Sequence, residues 1–331
     1  MPRRAFLRNP DGSLLASVKQ DMEAAVLEFC GTFIFLLLGL GGIQAAAVSN
    51  ESALSATSAT DSGGGVSVNR VASIDQLIYI SASMGLSLLI AVWLFYRVTG
   101  GIFNPAVSTA LLLIGAIGPV RWALCCAAQL IGAIAAAGVL QALLPGPLAS
   151  NTTPGGKTNA AQAVFIEMFI TAALVLAVLM LAAEKHRSTP FAPIGIGLTL
   201  FACHLFAVVF TGASMNTARS FGPAVVSGFP DAHWVYWLGP FLGSLLATFF
   251  YSLLKHIKYW QINPGQDAPD PRLSPPGPID TIRGVTSRNG NELDVGSETT
   301  AADTGRMGGM QEKHASVAPP GHATVNGPNV V

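Results

Sequence analysis

The apolar residues of this chain fall into six long runs, at about 23–47, 73–96, 119–142, 160–183, 192–211 and 233–255, separated by short polar stretches. A helix rising 1.5 Å per residue needs about 20 mostly apolar residues to cross a bilayer core, so each run predicts a membrane-spanning helix. Two shorter apolar stretches begin at Asn104 and Asn216. Each is half a span long, which predicts a re-entrant half-helix rather than a crossing. The pattern predicts an all-α membrane protein with six spanning helices and two half-helices.

A polar phrase introduces both short stretches. Thr99-Gly100-Gly101-Ile102-Phe103-Asn104-Pro105-Ala106-Val107-Ser108 recurs as Thr211-Gly212-Ala213-Ser214-Met215-Asn216-Thr217-Ala218-Arg219-Ser220. Irregular backbone at membrane depth is tolerated only where protein buries it or where it lines a watery cavity. The repeat extends further: Met84–Leu88 matches Ile196–Leu200 at the same offset, and Ala128–Ala133 matches Gly239–Ser244 at an offset one shorter. A carboxylate sits near the start of each half, at Glu28 and Glu167. The halves, about 23–142 and 160–255, hold three spans each. Three is odd, so the second half enters the membrane inverted, and the site is expected between the halves near the midplane. The pairs Ala128/Gly132 and Gly239/Gly243 are read as ordinary close helix packing.

Composition agrees with this reading. Of 331 residues, 51% are hydrophobic and only 11% charged, against about 25% charged in soluble domains. The net charge of +0 gives no reason to expect a nucleic-acid partner. Cys30, Cys125, Cys126 and Cys203 all lie in apolar runs without ligand spacing, so neither a disulfide framework, a metal nor another cofactor is expected. The N-terminal segment, 1–22, carries Arg3, Arg4, Arg8 and Lys19 and is too polar for a cleaved signal peptide. With Arg97, Arg121, Lys185, Arg187, Lys255 and Lys258, these charges place both termini in the cytoplasm. Sequons at Asn50 and Asn151 then fall in outer loops, as possible glycosylation sites, and the plasma membrane is the expected location. The Ser/Thr/Gly-rich stretch from Ser49 to Gly65 reads as a loop, and 258–331 as a disordered cytoplasmic tail after a channel domain at 23–257.

Asn104 and Asn216 stand where a side-chain oxygen caps a helix start, which leaves the amide NH2 free to donate into a lumen. Two inverted half-helices meet N-terminus to N-terminus, each carrying roughly +0.5 of an elementary charge. A cation meets two positive ends there, whereas a neutral molecule with a lone pair can accept hydrogen bonds. A carboxylate at a helix centre costs about 2.5–3.5 kcal/mol on insertion scales, so Glu28 and Glu167 need donors, which unwound loop backbone would provide. No nucleophile–base or metal constellation points to an enzyme.

Over about residues 22–257 the sequence resembles the aquaporin (major intrinsic protein) family. Its paired Asn-Pro-Ala boxes are matched by Asn104-Pro105-Ala106 and, with one departure, by Asn216-Thr217-Ala218. Its two helix glutamates look like Glu28 and Glu167. The resemblance implies an hourglass channel in membrane lipid, assembled as a homotetramer, with the boxes at the central constriction. It also implies a second constriction, whose four positions look like Met84, His204, Ala213 and Arg219. An arginine at that depth belongs in a watery lumen, where it repels cations and donates to water. Glycerol-conducting members resemble one another in a small residue at the His204 position and an Asp after the arginine; here Ser220 follows Arg219. Both features favour a passive water channel that excludes ions and protons. Ala213 stands where some members carry a mercury-sensitive cysteine, so inhibition there is not expected. Two departures matter. Thr217 lacks the preset φ of a proline at the first helical position, though its hydroxyl can bond locally. Met84, where water-selective members have Phe, is flexible and softens the filter. The alternatives are a broader channel for glycerol, hydrogen peroxide or ammonia, a proton-coupled transporter using Glu28 or Glu167, and an adhesion protein with a closed pore.

Overall fold

The computed structural model describes residues 14–60, 73–155, 157–263 and 265–266. Among them the chain forms eight α-helices and no strand: α1 Leu14–Thr60, α2 Ile74–Phe95, α3 Pro105–Leu113, α4 Pro119–Leu143, α5 Ala160–Val178, α6 Ala192–Thr211, α7 Thr217–Ser227 and α8 Val235–His256. All of these except α3 and α7 are long and apolar enough to span a membrane, α5 by running on through a π-helical turn at Leu179–Ala183. At nine and eleven residues, α3 and α7 are only about 14 and 17 Å long.

Local chemistry sets most boundaries. The Ser73 hydroxyl caps α2 by accepting from Gln76 N–H at 3.1 Å. Asn159 and Gln162 form a reciprocal capping box at the start of α5. Gly212, in the left-handed region at φ 76°, closes α6.

The first helix departs from expectation. It begins at Leu14 and continues to Thr60, well past the apolar run at 23–47. The stretch from Ser49 is therefore helical as far as Thr60 instead of a loop, and Asn50 lies on a helix instead of in an outer loop. Between Gly42 and Gly63 the sequence holds no glycine or proline, so nothing stops the helix. Residues 61–72, residues 1–13 and the tail from 267 onward lie outside the described residues. The beginning of the expected tail forms a 3-10 turn, Tyr259–Gln261.

Packing follows the repeat. In the first half α1 packs on α4 and α2; in the second, α5 packs on α8 and α6. The halves join through α2 against α6. Each half-helix also crosses to the last helix of the other half, α3 on α8 and α7 on α4. The close approaches need glycine. A Cβ on Gly132 would lie 2.8 Å from the Phe29 carbonyl oxygen, and one on Gly243 would lie 2.5 Å from that of Met168. Those two positions bring α4 onto α1 and α8 onto α5.

Candidate functional site

Residues 101–104 and 213–216 are irregular and buried, and each segment feeds a half-helix. Asn104 caps α3 by accepting from Ala106 N–H at 2.9 Å, and Asn216 caps α7 by accepting from Ala218 N–H at 2.9 Å. The residue before each asparagine is left-handed, Phe103 at φ 48° and Met215 at φ 54°. Such backbone costs a non-glycine residue roughly 1–2 kcal/mol and persists only where its surroundings over-determine it.

Here both sides of each strained residue are held. On the N–H side a glutamate accepts. Glu28 takes Phe103 N–H at 2.8 Å and Ile102 N–H at 3.2 Å, and Glu167 takes Met215 N–H at 2.8 Å and Ser214 N–H at 2.9 Å. On the carbonyl side the asparagine of the opposite half donates. Asn216 Nδ2 reaches Phe103 O at 2.8 Å, and Asn104 Nδ2 reaches Met215 O at 2.8 Å. The two half-helix starts are thereby tied to each other across the pseudo-two-fold axis. The expectation of a wholly free amide is corrected: one hydrogen of each NH2 satisfies a left-handed carbonyl, and one remains to donate into a lumen.

The carboxylates take further side-chain donors: Thr99 and Gln129 serve Glu28, and Thr211, the repeat counterpart of Thr99, serves Glu167. Gln129 Nε2 donates to Glu28 at 2.9 Å, and the Thr211 hydroxyl donates to Glu167 at 2.6 Å. Both glutamates are fully buried, so the four donors on Glu28 and the three on Glu167 offset the loss of water. Gln129 and Thr211 were not singled out from sequence. A lone glutamine in the middle of an apolar span was the available signal for the first.

Asn104 and Asn216 both line a cavity of ≈ 20 Å³, whose walls include Leu88, Val107, Ile196 and Leu200. About 10–15 Å³ holds one water, so this cavity takes molecules singly. Apolar walls with two amide donors orient such a molecule without binding it tightly.

The four candidate filter residues are all buried, but only Arg219 borders the larger cavity of ≈ 1300 Å³, alongside Ser150, Asn151 and Gly212. Arg219 Nη1 donates to Ser150 O at 2.8 Å, while its Nε has no partner among the described residues. His204 Nδ1 lies 3.0 Å from Leu200 O. A carbonyl only accepts, so the proton belongs on Nδ1 and neutral His204 presents Nε2 as an acceptor. That Nε2 has no partner among the described residues either. Ala213 is left-handed at φ 49°, where the first copy has Gly101 at φ 66°. The thioether of Met84 packs over Gly39 of α1, where an added Cβ would lie 2.7 Å from the sulfur. Ser220 sits in a hydroxyl cluster, 2.6 Å from Ser214 Oγ and 2.7 Å from Thr152 Oγ1. Asn151, which lines the larger cavity, donates from Nδ2 to Gly228 O at 3.1 Å, so the sequon side chain is engaged. No sequence signal marked Ser150, because its contribution is a main-chain carbonyl.

An inverted repeat of spanning helices, with two half-helices meeting at a single-molecule cavity, defines a transmembrane channel. Residues 15–251 match the family model described as MIP, major intrinsic protein, and the chain belongs to that family. It is 55% identical to Aquaporin-1 of Laccaria bicolor over 87% of this chain and 88% of that protein. It is 50% identical to Aquaporin-1 of Gibberella zeae over 72% of this chain and 71% of that protein. The X-ray structure of the aquaglyceroporin from Plasmodium falciparum shares the fold, with a TM-score of 0.55 at 18% identity, over 75% of this chain and 98% of that one. The chain is thus a multi-pass membrane channel and not an enzyme.

Proposed function

We propose that this channel conducts water passively and excludes ions and protons. The observation that carries the reading is the ≈ 20 Å³ cavity shared by Asn104 and Asn216, sized for one water at a time. Met84, His204, Ala213 and Arg219 form the outer filter, with His204 Nε2 and Arg219 Nε offering one acceptor and one donor to passing water. Glu28 and Glu167 act as scaffold: their hydrogen-bond partners are donors of the loops or of a neighbouring helix, which favours structure over a proton relay. The channel works as a homotetramer in the plasma membrane with both termini cytoplasmic. A band of exposed apolar side chains, including Trp93, Phe165, Phe169, Phe206 and Phe249, supplies the surface for lipid and neighbouring subunits.

Stopped-flow shrinkage of proteoliposomes tests the reading. Water permeability well above that of empty vesicles, with glycerol permeability near background, is the expected result. Permeability equal to empty vesicles, with the protein verified as folded, would overturn it. Rapid glycerol uptake would favour the broader solute channel, for which the flexible Met84 is the structural argument.

A further inference from the structure

Pro240 stands inside α8. A proline has no N–H, so the carbonyl four residues back, that of Tyr236, loses its helical donor. Tyr236 is fully buried, and a buried carbonyl without a partner is costly. Its donor is the hydroxyl of Thr217, at 3.0 Å. Thr217 is the first residue of α7 and holds the place that Pro105 holds in α3. A proline there has no donor to offer. In the first half the arrangement is exchanged: the box carries Pro105, and the α4 position matching Pro240 is Gln129, whose N–H lets that helix continue. The hydroxyl of Thr217, which can bond locally, reaches across to α8 instead.

Tyr236 also works from its other end. Its phenol donates to Thr211 O, at the end of α6, at 2.7 Å. One residue of α8 therefore grips the second loop on both sides, at Thr211 before it and at Thr217 after it.

We propose that Thr217 is a positioning residue, and that its hydroxyl and the carbonyl freed by Pro240 form a lock fixing the start of α7 against α8. The lock holds Asn216 and Arg219, which flank or closely follow Thr217, at the pore. Threonine in the second box is then one half of a matched pair with Pro240. The effect on flux rests on the pore reading above; the bond itself does not.

Four variants of the full chain test this in detergent and in proteoliposomes: Thr217→Val, Thr217→Ser, Pro240→Ala and the double variant Thr217→Val/Pro240→Ala. Thr217→Val keeps the shape and deletes the hydroxyl. It is expected to lower the melting temperature by roughly 2–4 °C and to cut water permeability several-fold. Thr217→Ser restores both. In the Pro240→Ala background an alanine N–H serves Tyr236 O, so adding Thr217→Val lowers neither further. If Thr217→Val alone fails to fold, the double variant is expected to fold. A Thr217→Val protein as stable as the parent, a Thr217→Ser protein no better than it, equal losses in both backgrounds, or a double variant that also fails to fold would overturn the lock. Should the parent conduct no water, the pore reading falls, while the melting cycle still decides the lock.

Discussion

At the scale of single residues the channel depends on two strained backbone positions held from both sides. Phe103 and Met215 are left-handed, and each gives its N–H to a glutamate and its carbonyl to the asparagine of the other half. Glu167→Gln separates charge from shape. A carboxylate accepts on both oxygens, whereas an amide presents one acceptor and turns an NH2 toward donors. Glu167 Oε1 takes Ser214 N–H and the Thr211 hydroxyl, and Oε2 takes Met215 N–H, so either amide orientation leaves a buried N–H unmet. The expected loss is about 1–3 kcal/mol, read as a lower melting temperature together with reduced water flux. A Glu167→Gln protein with unchanged melting would show that the loop does not lean on the charge. The need of Glu28 and Glu167 for donors was legible from their depth in apolar runs. Which amides supply them was not, because a left-handed φ is a tertiary compromise without a local signature at Phe or Met.

At the scale of elements, helix contacts and helix ends carry the fold. Gly132→Ala places a methyl 2.8 Å from the Phe29 carbonyl, a backbone atom that cannot rotate away. Overpacking of this kind costs typically 1–3 kcal/mol, so thermal melting is expected to fall while Gly138→Ala, with open space around it, leaves melting near the parent value. Beyond the end of α5, the Glu184 carboxylate accepts from the Tyr251 hydroxyl at 2.7 Å and from Lys255 at 2.9 Å, tying that end to α8. Burial acts against the charged form, but Tyr251 and Lys255 outweigh it and hold the Glu184 pKa below its ordinary 4.5. A depressed carboxylate contributes stability above its unfolded pKa and loses it as pH falls through the folded one. Melting temperature is therefore expected to drop below about pH 4.5, and Lys255→Met is expected to shrink that part of the drop. The five later spans were legible to within two residues, since apolar runs end where glycine, proline or a capping side chain ends a helix. The extension of α1 to Thr60 was not, because serine, alanine and threonine serve loops and helices alike and nothing nearby forces a stop.

At the scale of the whole molecule, the proposed exclusion of charge rests on fields that no single residue sets. The half-helices present two N-termini, each worth roughly +0.5 of a charge, at the narrow cavity. Arg219 adds a full charge one turn into α7, beside the larger cavity. On the proposed reading a cation meets a positive potential twice, once at Arg219 and once at the centre, and loses hydration at both. Arg219→Val removes the outer barrier and leaves the helix ends. Water permeability is expected to persist, because Asn104 and Asn216 keep their cross-bonds and the ≈ 20 Å³ cavity does not include Arg219. Proton or small-cation leak, followed with a pH-sensitive dye trapped in proteoliposomes, is expected to rise above that of the parent. The half-helix ends, on this reading, still oppose charge, so the rise should be limited. An unchanged leak would assign cation exclusion to the half-helix ends alone and leave Arg219 a structural donor to Ser150 O.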